Sequence, residues 1–150
     1  MLRLAMREDL PYIQQLAEQV FSQFGDYRRI LTQFFHSPAV KTFLWDVAGK
    51  AAGLAMVERI WNPKTKSYYV DLLAIAVEPS WQDRGVGGQL LSAVIEWVRQ
   101  QGSTHMFLSV AETNAGAQRF FRRYGFLRVA ENDGYYPAGQ QAHLMAKELD

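Results

Sequence analysis

The chain has 150 residues, 49% of them hydrophobic, and a formal net charge of +1. This suits one domain, residues 1–150, with a full core; the near-neutral charge leaves no footprint for nucleic acid, and no apolar run approaches the ~20 residues of a membrane span. Cysteine is absent and His36, His105 and His143 are scattered without ligand spacing, which excludes disulfides and a cysteine nucleophile and predicts no metal. The first residues carry an early acidic pair, Glu8-Asp9, and no long apolar core, so no signal peptide and a cytoplasmic location are expected.

Leu2–Met6 reads as a short strand. Arg7-Glu8-Asp9 with Pro11 marks a helix start, and Leu10, Ile13, Leu16, Ala17, Val20 and Phe21 recur at helical spacing. Phe24-Gly25-Asp26 breaks that helix, and a second is predicted over Tyr27–Phe35, stopped by His36-Ser37-Pro38. Val40–Val47 and Ala51–Trp61 form a predicted hairpin about Ala48-Gly49-Lys50, and Tyr68–Val77 is the next strand. A third helix spans Val86–Gln101, with Leu90, Leu91, Val94, Ile95 and Val98 on its buried stripe and Gly102 as its cap. Met106–Val110 is a strand, Asn114–Tyr124 a helix capped by Gly125, and Phe126–Ala130 and His143–Glu148 are the last strands. Hairpins first and helix-linked strands later predict a mixed α/β (α+β) sheet.

The most informative stretch is Gln82-Asp83-Arg84-Gly85-Val86-Gly87-Gly88, where the strand ending at Val77-Glu78-Pro79 turns into the third helix. A glycine-rich turn at a helix start aims unpaired N–H groups at one point, and the helix dipole adds positive potential there. Glycines let a ligand approach the backbone without a Cβ in the way. This is an anion site suited to a pyrophosphate. Gln82-x-x-Gly85-x-Gly87 is neither the dinucleotide fingerprint nor a P-loop ending in Lys-Ser/Thr.

The pattern resembles the acetyl-CoA pyrophosphate loop of the GNAT N-acetyltransferase superfamily, Q/R-x-x-G-x-G/A. A second stretch, Leu108-x-Val110-x-x-x-Asn114-x-x-Ala117-x-x-Phe120-Phe121-x-x-Tyr124-Gly125-Phe126, resembles that family's other signature. With the matching element order the resemblance covers nearly the whole chain. It implies the GNAT fold: about seven strands, mostly antiparallel, with about four helices, and a splay between the parallel fourth and fifth strands. It also implies acetyl-CoA as co-substrate and an amine acceptor. The backbone of Ile75, Ala76 and Val77 is then expected to hold the pantetheine arm, and Gln82, Asp83, Arg84, Gly85, Val86, Gly87 and Gly88 the pyrophosphate, with Asn114 and Phe121 also at the cofactor. Asn114 at a helix start equally suits an N-cap, and Arg84 equally suits a solvated side chain. Tyr135-Tyr136-Pro137 and Ala142-x-Leu144-Met145 resemble the carboxyl end of ribosomal-protein-alanine N-acetyltransferases, which implies a protein N-terminus as acceptor; the two tyrosines equally suit a cover for the sheet edge.

Acetyl transfer to an amine requires a neutral nucleophile, a donor for the developing oxyanion and a proton for the leaving thiolate. The chain departs from the family at two positions. Phe121 replaces the tyrosine that supplies the proton, and Ser109 replaces the glutamate that acts as base in the ribosomal branch. Tyr124 is the nearest phenol, with packing beside Gly125 as its alternative role. Asp71, six residues before Val77, matches the place of a glutamate in the histone-acetyltransferase branch. Period-two alternation puts it on the side of Leu73, Ile75 and Val77; it acts as base directly or through water, or pairs with a basic side chain. Glu58 on the neighbouring strand is a second acidic candidate, as base or as attractor of an ammonium group. Phe24, Tyr27 and Trp61 are expected as aromatic walls of the acceptor pocket. The leading reading is an N-acetyltransferase that joins acetyl-CoA and a primary amine, a peptide N-terminus or a small molecule, in a ternary complex. The alternative is a CoA-binding regulatory module with little catalysis. Monomer and homodimer both fit.

Overall fold

A computed structural model describes residues 1–150. The elements are β1 (Leu2–Leu4), α1 (Leu10–Phe21), α2 (Tyr27–His36), β2 (Val40–Val47), β3 (Lys50–Asn62), β4 (Ser67–Val77), α3 (Val86–Gln100), β5 (His105–Ala111), α4 (Ala115–Arg123), β6 (Leu127–Asn132) and β7 (Ala142–Glu148). The sequence places every one of them; only the ends move. β1 stops at Leu4 because the Met6 N–H is claimed by the Asp9 carboxylate at 2.7 Å, at the entry to the first helical turn. Asp26 caps α2 by accepting from the Arg29 N–H at 3.2 Å.

One sheet runs in the order β1-β2-β3-β4-β5-β7-β6, and every neighbouring pair is antiparallel except β4–β5. The apolar stripes of the helices divide the core into two layers. Leu90, Leu91, Val94, Ile95 and Val98 of α3 and Phe121 of α4 pack on one face, against Ala55, Val57, Val70, Leu72, Met106 and Leu108. Ile13, Leu16 and Ala17 of α1 and Leu31 of α2 cover the other, against Leu54, Met56, Ala74 and Ala76. Each fully buried Leu or Ile here contributes about 1.5–3 kcal/mol of apolar transfer.

β4 carries a β-bulge that the alternation of its residues does not announce. Val57 pairs with Leu72 but Met56 pairs with Ala74, so Leu73 is an extra residue opposite β3. The bulge switches faces. Val70 and Leu72 point to the α3 side, whereas Leu73 and Ala74, although consecutive, both point to the α1–α2 side, and Ile75 returns to the α3 side. Asp71, between Val70 and Leu72, therefore faces α1–α2 with Leu73 and not with Ile75. This corrects the period-two expectation for Asp71 relative to Ile75 and Val77.

Candidate active site

β4 and β5 are paired only from Tyr69·His105 to Leu72·Leu108. Beyond that point, next to the bulge, the strands part, although β4 continues to Val77 and β5 to Ala111. The Glu78 N–H donates to the Ala52 carbonyl at 2.8 Å, which makes Ala52·Glu78 a hydrogen-bonded pair. Antiparallel pairs alternate, so Leu54·Ala76 is bonded likewise, while Gly53·Val77 and Ala55·Ile75 direct their backbone groups away from each other. The N–H and C=O groups of Ile75 and Val77 thus face the splay. Ala76 turns its backbone to β3 and its side chain into the α1–α2 core.

The glycine turn closes the end of the splay. Asp83 (φ 62°) and Gly85 (φ 81°) adopt left-handed conformations, and α3 starts at Val86, whose side chain is buried. Gly85 has open space where a Cβ would sit, so its glycine answers to backbone angle. Gly88 answers to space: a Cβ there would lie 2.1 Å from the Tyr124 hydroxyl. The Gln82 side chain donates to the Val77 carbonyl at 3.0 Å and pins the turn to β4.

Splay, turn, α4 and two loops enclose a cleft of about 1030 Å³. One side is formed by Val77, Gln82, Asp83, Gly85, Gly87 and Gly88 with Asn114, Phe120, Phe121 and Tyr124. The other is aromatic, with Phe21, Phe24, Tyr27, Tyr135 and Tyr136. The aromatic side is held by contacts between the α1–α2 connection and the β6–β7 loop. Phe24 and Tyr136 rings lie 4.7 Å apart, the Ala138 N–H donates to the Phe24 carbonyl at 3.1 Å, and Gln140 Nε2 donates to the Gln23 carbonyl at 2.9 Å. Tyr136 Oη donates to the Ser109 carbonyl at 3.5 Å, across the mouth of the splay. Burial raises the Tyr27 phenol to about 12 and also pushes Tyr136 up, so both are proton-bearing donors at neutral pH.

The sequence matches the model of the acetyltransferase (GNAT) family over residues 7–126. The chain belongs to the acetyltransferase (GNAT) family. The ribosomal protein bS18-alanine N-acetyltransferase of Escherichia coli K12 is 30% identical over 89 residues, 59% of this chain and 56% of that protein. An uncharacterized N-acetyltransferase of Methanocaldococcus jannaschii is 31% identical over 85 residues, 56% of this chain and 38% of that protein. The matched segment thus spans about half of these curated relatives or less. Among solved structures, the E. coli ribosomal-protein-alanine N-acetyltransferase superposes with a TM-score of 0.85 at 22% identity, covering 100% of this chain and 94% of that one. A GNAT acetyltransferase from Elizabethkingia anophelis, solved with acetyl-CoA bound, gives 0.82 at 16% identity, covering 99% and 97%. These likenesses establish the GNAT fold, with its parallel β4–β5 pair.

The remaining candidate residues fall as follows. Asn114 lines the cleft and is also an N-cap, its Oδ1 accepting from the Ala117 N–H at 3.1 Å. Arg84 lies over the Trp81 ring at 5.3 Å and does not line the cleft. Phe121 is buried against Phe126 and lines the cleft, and Tyr124 reaches across to Gly88 instead of merely packing beside Gly125. Trp61 is not a cleft wall: it is 49% exposed and packs on Tyr68 at the far end of the sheet. Asp71 and Glu58 are direct cross-strand partners on the α1–α2 face, and neither lines the cleft. Neither makes a salt bridge, so a basic partner for Asp71 is ruled out. Burial, and next the Glu58 charge, push the Asp71 carboxyl above the ordinary carboxylate range. Sequence reasoning left Tyr135 and Tyr136 between two roles and missed Phe21; their signal, aromatics beside Gly25 and Pro137, gains meaning only when the two loops meet.

Proposed function

We propose that the chain catalyses transfer of the acetyl group of acetyl-CoA to a primary amine, a protein N-terminus or a small molecule, within one cytoplasmic domain. The observation that carries this is the end of β4–β5 pairing at Leu72·Leu108, which leaves the backbone of Ile75 and Val77 facing a cleft that closes on a glycine turn. A strand edge followed by an anion cradle suits an elongated ligand that ends in a pyrophosphate. Gly87 and Gly88 line the groove, and the lack of side chains there leaves room for such a ligand. Bound acetyl-CoA supplies the activated thioester.

The chain's residues then have distinct tasks. Ile75 and Val77 orient the arm, and the N–H groups from Asp83 to Gly88 hold the anion. Phe24, Tyr27, Tyr135 and Tyr136 exclude water from the acceptor side, which favours the neutral amine over ammonium. The resemblance of Tyr135-Tyr136-Pro137 to the carboxyl end of ribosomal-protein-alanine N-acetyltransferases supports a peptide N-terminus as the acceptor. Asp71 faces that acceptor side and, as it does not line the cleft, takes the amine proton through water; a carboxyl with a raised pKa is a stronger base once ionised. Burial is the main cause of this shift, and the Glu58 charge adds to it. Tyr124, the one phenol on the cofactor side, protonates the thiolate where Phe121 cannot.

The test is Asp71→Asn, followed by single-turnover kinetics and acetyl-CoA calorimetry. Acetyl-CoA affinity is expected to persist while the chemical step slows about 100-fold, a typical loss for a general base. Equal single-turnover rates would remove Asp71 from the mechanism. Phe121 and Ser109, which lack the family's acid and base, favour a second reading, an acetyl-CoA-binding module without catalysis. Tight binding with no turnover over a panel of amines and peptides would select it.

A further inference from the structure

The sheet ends at β6, which pairs with β7 alone and leaves its other edge open. All six of its residues are exposed, and two of them are large and apolar, Leu127 at 66% and Val129 at 57%. An open edge is a template for a further strand, and proteins guard such edges with lysine, proline or charge. β6 has neither lysine nor proline, and its charges are one cation, Arg128, and one anion, Glu131. A bulge at Val129 sets these two on the same face of the strand. Arg128 lies opposite Met145, and Glu131 opposite His143, which in turn lies opposite Val110; Met145 and Val110 belong to the core layer beneath α3 and α4. Within the chain Arg128 and Glu131 form an ion pair whose side chains remain 50% and 47% exposed, so it holds weakly and both groups are free to change partner. The sheet's other edge offers no such surface, since β1 has three residues and Arg3 is committed to Asp9 and Asp46.

Opposite charges three residues apart on one strand edge are self-complementary. Antiparallel pairing of two β6 edges about a two-fold axis between Val129 and Ala130 sets Arg128 against the partner's Glu131, and Glu131 against the partner's Arg128. Leu127 then meets the partner's Asn132, and Val129 the partner's Ala130. A slip of one residue sets Arg128 against the partner's Ala130 or the partner's Asn132 and loses both ion pairs, so charge selects one register. We propose that the chain forms a homodimer by antiparallel pairing of its β6 edges in this register. The charges that repel an unrelated basic or acidic strand attract a second copy, and strand pairing removes Leu127 and Val129 from an open edge. A six-residue ribbon is smaller than a standard interface, so the association is expected to be weak, with a Kd on the order of 10 µM. None of the six residues lines the cleft, so both clefts stay open and the inference does not depend on the acetyl-transfer reading.

The experiment is sedimentation velocity of the full chain over about 1–200 µM, a range that brackets a weak interface. The wild type is expected to pass from monomer to dimer. Arg128→Glu and Glu131→Arg each set two like-charge pairs across the axis and should weaken self-association at least about tenfold. An equimolar mixture of the two variants should dimerise again, because every cross-strand pair then joins opposite charges; this also certifies that both variants fold. The double variant Arg128→Glu/Glu131→Arg keeps the net charge of +1 and should dimerise as the wild type does, which separates pairing in register from general charge attraction. A wild type that stays monomeric throughout would overturn the proposal. A dimer indifferent to the single reversals would overturn it by placing the interface elsewhere. Failure of both the mixture and the double variant to restore the dimer would overturn the register.

Discussion

Gly88→Ala offers a direct probe of how the cleft is built. An added Cβ would lie 2.1 Å from Tyr124 Oη and 3.2 Å from its Cζ. The first distance is impossible without movement, and the second needs only a few tenths of an ångström. Two effects oppose each other. Alanine in a helix is favoured over glycine by about 1 kcal/mol, whereas forcing a packed ring aside costs about 1–3 kcal/mol. In the wild type the strain wins or cancels, giving a net change of about 0–2 kcal/mol of destabilisation. In a Tyr124→Phe background the hydroxyl is gone, most of the strain goes with it, and Gly88→Ala should be neutral or stabilising by up to about 1 kcal/mol. The coupling between the two sites is therefore about 1–3 kcal/mol, measurable by denaturant unfolding of the four proteins of the cycle. Acetyl-CoA affinity should fall in Gly88→Ala alone, because the displaced ring swings into the cofactor side of the cleft. A Gly88→Ala shift that is the same in both backgrounds would refute the packing of Tyr124 on Gly88.

Gly87→Glu has room to fold, since a Cβ there meets Phe120 and Val77 at an ordinary 3.6 Å; its carboxylate should lower acetyl-CoA affinity at least about 100-fold by calorimetry, as like-charge juxtaposition costs several kcal/mol, and unchanged affinity would misplace the pyrophosphate. Phe121→Tyr should fold and raise turnover about tenfold by returning a phenol to the cofactor side; steady-state assays with unchanged turnover would leave proton delivery to Tyr124 or solvent. Asp71→Asn should stabilise the protein at neutral pH. The folded carboxyl titrates above its unfolded value, so between the two the folded state holds more protons and stability falls as pH rises through that window. The asparagine variant lacks this fall, and its advantage, read by denaturant unfolding from pH 3 to 8, should open as the pH rises; a gap independent of pH would contradict the raised carboxyl.

The parts of this fold that were legible from sequence are those specified locally. The α3 stripe of Leu90, Leu91, Val94, Ile95 and Val98 has one period and one solution, and every one of these residues is buried. The turn before it is punctuated by glycine, and the left-handed conformation at Gly85 follows from that, whereas Asp83 adopts one without being glycine. Loop contacts were not legible, because Gly25 and Pro137 are signals only of turns until the chain brings them together. A Cβ on Gly25 would lie 2.7 Å from Pro137 Cβ, so the glycine is required by a neighbour remote in sequence as well as by its own φ of 136°. Trp61 was misread for the same reason: an aromatic residue at a strand end reads alike whether it walls a pocket or caps a sheet.

The bulge at Leu73 is the instructive failure. Alternation identifies a bulge only where inward and outward residues differ in polarity, and β4 is apolar from Leu72 to Val77 because both its faces are covered. Counting back from Val77 therefore carries the error to Asp71. The same extra residue has a consequence for the chemistry. It lies where β4 parts from β5, it leaves the backbone of Ile75 and Val77 directed into the splay, and it turns Asp71 and its cross-strand partner Glu58 to the opposite face. Had β4 been regular, Asp71 would share the face of Ile75 and Val77. With the bulge, the backbone of Ile75 and Val77 faces the splay while the Asp71·Glu58 pair lies on the α1–α2 face; under the proposed mechanism the amine then approaches the thioester from that face. The same placement keeps two carboxylates side by side with no salt bridge to either, a cost to stability that the proposed proton transfer would account for.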